Sequence, residues 1–153
     1  MKFMTIQKWS GTNGEALEAL KDYRQYLDSV FATLPPQLQR FTSEVSLHDA
    51  RMRHLHLAAG LLKLKLDGSG YQDESRGYFD RRFDLTYEGV DSLLSTADPD
   101  AGLPGPHGYG DLGYDEIDVL ANERFEHRML FSTGIELHVR FTGFSFTYED
   151  DKS

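Results

Sequence analysis

The chain contains no cysteine. Disulfides, thiolate metal sites and a thiol nucleophile are therefore excluded. Long apolar runs are missing too. Nothing after Met1 and Lys2 reads as a signal-peptide core, and no stretch approaches the length of a membrane span. Basic residues are few: 16 Lys and Arg stand against 25 Asp and Glu, for a formal charge of −9. A general nucleic-acid surface needs the opposite sign. No GxxxxGK[ST], HExxH or GxSxG signature occurs. Gly108-Tyr109-Gly110-Asp111-Leu112-Gly113 matches GxGxxG in spacing alone, because a proline-rich stretch precedes it rather than a strand. These absences lead to the expectation of a cytoplasmic protein with no cofactor, no nucleic-acid partner and no membrane partner.

The clearest positive signal is alternation. Ile135 to Tyr148 reads IELHVRFTGFSFTY, apolar and polar in turn, with one change of phase at Thr142-Gly143. That pattern predicts a half-buried antiparallel strand, with a β-bulge at Thr142-Gly143 returning Phe144 and Phe146 to the core face. Leu55 and Leu57 alternate with His54 and His56, and Leu62, Leu64 and Leu66 with Lys63 and Lys65. A turn at Ala59-Gly60 sets Leu57 against Leu62 and Leu55 against Leu64. His56 then faces Lys63, and His54 faces Lys65, on the other side. Further strands are expected from about Gly77 to Glu88, where Arg81 interrupts the apolar face, from Tyr114 to Ala121, and from Phe125 to Phe131.

Ahead of the strands, Thr12 and Glu15 have capping-box spacing. Leu17, Leu20, Tyr23, Leu27, Val30 and Leu34 follow at helical spacing until Pro35-Pro36. PQLQRFTSE suggests a further short helix, and residues 1–9 a short opening strand. Residues 98–113 collect prolines and glycines and read as the longest loop.

At 153 residues the chain is expected to be a single domain, residues 1–153, with a helical part over about 12–44 and a β-rich part over about 46–149. The fold class is α+β: an N-terminal helix on a strongly bent antiparallel sheet of about six strands, with a half-barrel or small sandwich as open alternatives. The helix is expected to bury Leu17, Leu20, Leu27 and Val30. The sheet is expected to bury Phe83, Leu85, Phe131, Leu137, Val139, Phe141, Phe144 and Phe146.

The densest polar chemistry runs from His48 to His56. His48 and Asp49 are candidates for an acid–base pair or for metal ligands, or for a cap on the turn that enters the sheet. His54 and His56, two apart on one strand face, have metal-chelating spacing, but Lys63 and Lys65 opposite them oppose a cation. With Arg51 and Arg53 they read as a basic patch that pairs with neighbouring carboxylates or contacts an anion. His107 and Tyr109 are binding candidates on the 98–113 loop. His127, among Phe125, Met129 and Phe131, reads as a hydrogen-bonded core residue. His138 reads as a member of cross-strand pairs.

The segment Ser46-Leu47-His48-Asp49-Ala50-Arg51 resembles a bacterial family classed as a domain of unknown function. In that family a helical part leads into an "HD[AS]" turn, a strand, a glycine turn, a strand ending in "LDG" and a terminal "xELxIxFxxFxxxx" strand. His48-Asp49-Ala50, Leu62–Gly68 and Ile135–Tyr148 carry the likeness here. Small acidic immunity proteins, which neutralise a partner toxin, are similar in general appearance. The resemblance implies no catalytic residues.

Three functions are therefore expected in order. The first is a non-enzymatic, immunity-like domain that meets a basic protein partner through an acidic face. The second is a small hydrolase or isomerase using His48 and Asp49, with the 98–113 loop as a lid. The third is a small-molecule binding module with Tyr78, Tyr109 and Tyr114 as contacts.

Overall fold

A computed structural model describes residues 1–71, 77–97 and 108–151. His107, the Asp98–Asp100 cluster and most of the 98–113 segment lie outside the described residues, as does the side chain of Tyr78. The capping box at Thr12 and Glu15 forms and starts helix α2, Asn13–Val30. A turn of 3-10 helix, Phe31–Thr33, and Pro35 separate it from α3, Pro36–Glu44, which carries proline in its first turn. Residues 1–9 do not form the expected strand. The Thr5 hydroxyl accepts the Lys8 N–H at 3.3 Å and caps a short helix α1, Ile6–Ser10.

Eight strands follow among the described residues: β1 Ala50–Ala58, β2 Leu61–Tyr71, β3 Tyr78–Glu88, β4 Ser92–Thr96, β5 Asp111–Val119, β6 Phe125–Phe131, β7 Glu136–Phe141 and β8 Gly143–Asp150. They form one antiparallel sheet in the order β4-β7-β6-β5-β1-β2-β3-β8, open between its end strands β4 and β8. The count exceeds the expected six because residues 92–96 add β4 and the last alternating run divides into β7 and β8. Asp111–Gly113 belongs to β5 rather than to a loop. In the β1–β2 hairpin Leu57 faces Leu62, Leu55 faces Leu64, His56 faces Lys63 and His54 faces Lys65, the register that the alternation predicts.

The phase change at Thr142 has a different origin from the expected bulge. Residues 78–96 and 136–150 are two runs that pair with each other on both sides of a bend. Glu88 lies opposite Gly143, and Ser92 opposite Arg140. Gly89, Val90 and Asp91 therefore stand against Phe141 and Thr142, so the extra residue sits in the partner run. Backbone bonds from Thr142 to Glu88 (3.0 Å) and from Asp91 to Arg140 (3.2 Å) hold the corner. Beyond it the chain passes from β7, beside β6, to β8 at the far end of the sheet. Phe146 enters the core and Phe144 packs half-buried against it. Arg81, which interrupts the apolar face of β3, stacks on Tyr148 at 4.1 Å and pairs with Asp150 at 2.6 Å.

The main core joins Leu34, Leu38 and Phe41 to the inward residues of the sheet, including Leu62, Leu64, Leu66, Phe83, Leu85, Tyr87, Phe131, Leu137, Val139 and Phe141. Burying each such side chain contributes roughly 1.5–3 kcal/mol. Helix α2 contributes less than its pattern suggests. Leu17 is 67% exposed, Leu20, Leu27 and Val30 are half-buried, and Ala19 is the helix's buried residue. The reason is its position: α2 lies along a strand edge, not flat on a sheet face.

Candidate functional site

The sheet has a gap. β1 pairs with β5 only at Ala50–Leu112 and Arg51–Asp111. Past that point the edge of β5 would expose main-chain groups that need partners. Helix α2 supplies two of them. The Tyr23 hydroxyl accepts the Ile117 N–H at 2.8 Å, and the Tyr26 hydroxyl accepts the Val119 N–H at 3.0 Å. The spacing suits both bonds, since residues three apart share a helix face and residues two apart share a strand edge. His48 supplies a third partner through Nδ1, which lies 2.7 Å from the Gly113 carbonyl. A carbonyl only accepts, so Nδ1 carries a proton and donates it.

A cleft of about 540 Å³ opens where the gap begins, between α2, α3 and β5. Leu20, Leu27, Phe41 and Val45 give it apolar walls, and His48, Arg24, Tyr23, Tyr114 and Asp115 its polar groups. Asp115 is held from behind. Its Oδ2 lies 2.9 Å from His127 Nε2, and His127 Nδ1 lies 2.7 Å from the Tyr87 hydroxyl. His127 and Tyr87 have no exposed surface. Burial pushes the Tyr87 pKa well up, with the Asp115 charge adding to it. The hydroxyl therefore keeps its proton and bonds Nδ1, and because a carboxylate only accepts, His127 Nε2 donates to Asp115. Phe41 meets the imidazole edge-on at 5.6 Å.

The opposite face of β5 and β6 carries an ionic layer. Glu116 accepts the main-chain N–H groups of Lys2 (2.9 Å), Phe3 (3.0 Å) and Met4 (2.7 Å) and so anchors the start of the chain. Arg128 binds Asp118 at 2.7 Å and also pairs with Glu126, which Arg140 reaches at 2.5 Å. Burial pushes the Asp118 carboxyl up, but hydrogen bonds from Tyr26 and Arg128 outweigh it, and its pKa falls below the usual carboxylate value. At Glu126 burial is likewise outweighed, by Arg140 and Arg128. A hydrogen bond from His138 holds Glu136 low.

The structure distributes the residues that the sequence grouped over different hollows. His48 lines the α2–α3–β5 cleft, whereas Asp49 lines another hollow with Arg51, Arg53 and Asp67. Asp49 adopts φ 63° at the entry to β1, and its carboxylate stays 3.6 Å from His48 Nε2. His54 and His56 are exposed and stacked at 6.2 Å, and no group of three metal-ligating side chains occurs among the described residues. Arg51 pairs with Asp111 at 2.6 Å, Arg53 with Asp67 at 2.5 Å and Lys65 with Asp84 at 3.3 Å. Tyr109 packs on Phe131 at 5.1 Å, and its carbonyl accepts the Thr133 hydroxyl. The Tyr87–His127–Asp115 chain is what sequence reasoning missed. Its one visible signal was a histidine on an otherwise apolar strand face.

No family model, curated protein or solved structure matches the chain. The likeness at His48-Asp49-Ala50 therefore rests on those short motifs alone.

Proposed function

We propose that the protein is a non-enzymatic, immunity-like binding domain that engages a basic protein partner. The observation carrying this reading is the outward face of β3 and the end strand β8. Asp80, Glu88, Glu149 and Asp151 are all exposed there, with Arg82 the outward cation of β3. The inward residues Phe83, Leu85 and Phe146 are buried on the reverse side, so this acidic margin is bare sheet at a sheet edge. A margin with more carboxylates than cations, Arg82 standing opposite Glu149, steers a basic partner and sets its orientation.

The test is cross-linking in the native host, followed by binding measurements on the recovered complex. A stoichiometric basic partner is expected. Its affinity should fall with salt, and it should be lost in a folded variant carrying Asp80→Lys, Glu88→Lys, Glu149→Lys and Asp151→Lys. Recovery of chaperones alone at every salt concentration overturns the proposal.

A further inference from the structure

The helix does not cover the β5 edge along its whole length. Tyr23 and Tyr26 take the N–H groups of Ile117 and Val119. The two-residue period of a strand turns the N–H and C=O of Asp115 the same way. Among the described residues no side chain of α2 or α3 takes them. They open on the cleft of about 540 Å³, a volume within the range of small-ligand sites.

The carboxylate of Asp115 stands in the same place. His127 fixes its Oδ2, while Oδ1 has no hydrogen-bond partner among the described residues. Arg24, on the helix wall of the cleft, has no ion-pair partner among the described residues. The Tyr23 hydroxyl accepts from Ile117 and keeps its own proton to donate, because burial pushes its pKa up. A buried Tyr–His pair is a costly way to orient one carboxylate unless that orientation is used.

The charges narrow the ligand. A simple cation attracted to Asp115 meets Arg24, a simple anion attracted to Arg24 meets Asp115, and a neutral molecule leaves both unanswered. From this geometry we infer that the cleft binds a free α-amino acid, with its ammonium on Asp115, its carboxylate at Arg24 and the Tyr23 hydroxyl, and its side chain against Leu20, Leu27 and Val45. His127 and Tyr87 are positioning residues behind Asp115. The site lies apart from the acidic margin of β3 and β8, so each proposal stands or falls without the other.

The experiment is ¹⁵N NMR of the full chain with the proteinogenic L-amino acids added singly at about 5 mM, above the ~1 mM Kd of a weak site. Shifts are expected at residues 113–117 and 20–27. The strongest responder is then compared with its N-acetyl and its amide derivative, each expected to bind about tenfold more weakly or worse. Asp115→Asn should abolish discrimination against the N-acetyl form. Arg24→Gln, at an exposed helix position that does not threaten folding, should abolish discrimination against the amide. Tyr87→Phe should reduce the first discrimination and leave the second, a split that a merely structural role would not produce. The inference is overturned if no amino acid shifts the cleft, or if the doubly blocked N-acetyl amide binds as well as the free amino acid.

Discussion

His127 on β6 and Asp115 on β5 are joined diagonally across their strand pair. The bond runs from Nε2 to Oδ2 at 2.9 Å, although the residue directly opposite His127 is Ile117. Diagonal neighbours on an antiparallel pair lie within reach of long side chains. The bond carries a polar chain from the centre of the core to the wall of a cleft.

Replacing His127 with leucine keeps an apolar volume but strands the Tyr87 hydroxyl and one oxygen of Asp115. A loss of about 2–4 kcal/mol is expected, read from urea unfolding midpoints. Tyr87→Phe removes one donor and should cost about 1–2 kcal/mol. If neither variant moves the midpoint, the chain of bonds contributes nothing to stability.

Glu116 gathers three main-chain N–H groups from residues 2–4. Glu116→Ala should release that segment and cost about 2–3 kcal/mol. Hydrogen exchange should speed up at Lys2, Phe3 and Met4 while β2 and β3 keep their protection. Uniformly unchanged exchange would show that other contacts anchor the segment.

Asp118, Glu126 and Glu136 have folded-state pKa values below their ordinary ones. Such groups bind protons more readily when the chain is unfolded. Their stabilisation is complete above the unfolded carboxylate range and is lost as pH falls through the folded values. The unfolding midpoint should stay level from about pH 7 to about pH 5 and then decline, with Glu126→Gln reducing the acid slope. A level profile down to about pH 3 would contradict this.

Gly89 sits at the sheet corner with φ 62°, and a Cβ there would collide with the Thr142 hydroxyl. Gly89→Ala is expected to destabilise by about 2 kcal/mol, through left-handed strain and the collision together. Thermal melts of Gly89→Ala and of Gly89→Ala with Thr142→Ala separate the two causes. Rescue by the second substitution isolates the steric part.

The hairpin register at residues 54–65 was legible because alternation assigns each side chain a face and the glycine turn limits the slip. The return of Phe144 and Phe146 to the core was legible for the same reason. The extra residue that makes the return possible was not, since Gly89–Asp91 lies far away in sequence and faces Thr142 only after the two runs pair. The exposure of Leu17 was likewise hidden. Helical spacing shows that a face is apolar, not that Tyr23 and Tyr26 will dock the helix on a strand edge through their hydroxyls. Asp115 gave no signal, because its pairing with His127 depends on the turn between Val119 and Phe125, which sets Ile117 opposite His127.

The sequence by itself determined helices α2 and α3, most strands, the β1–β2 register, the α+β class and the excess of acidic charge. These follow from local periodicity, capping and composition, which act over a few residues. Tertiary structure alone decided the gap between β1 and β5, the corner at Gly89 and Thr142, and the cleft with Asp115 held against His127. Each of these depends on which distant strands become neighbours. That choice is made by the closing of the whole core, where a main-chain group left without a strand partner must find a side chain instead.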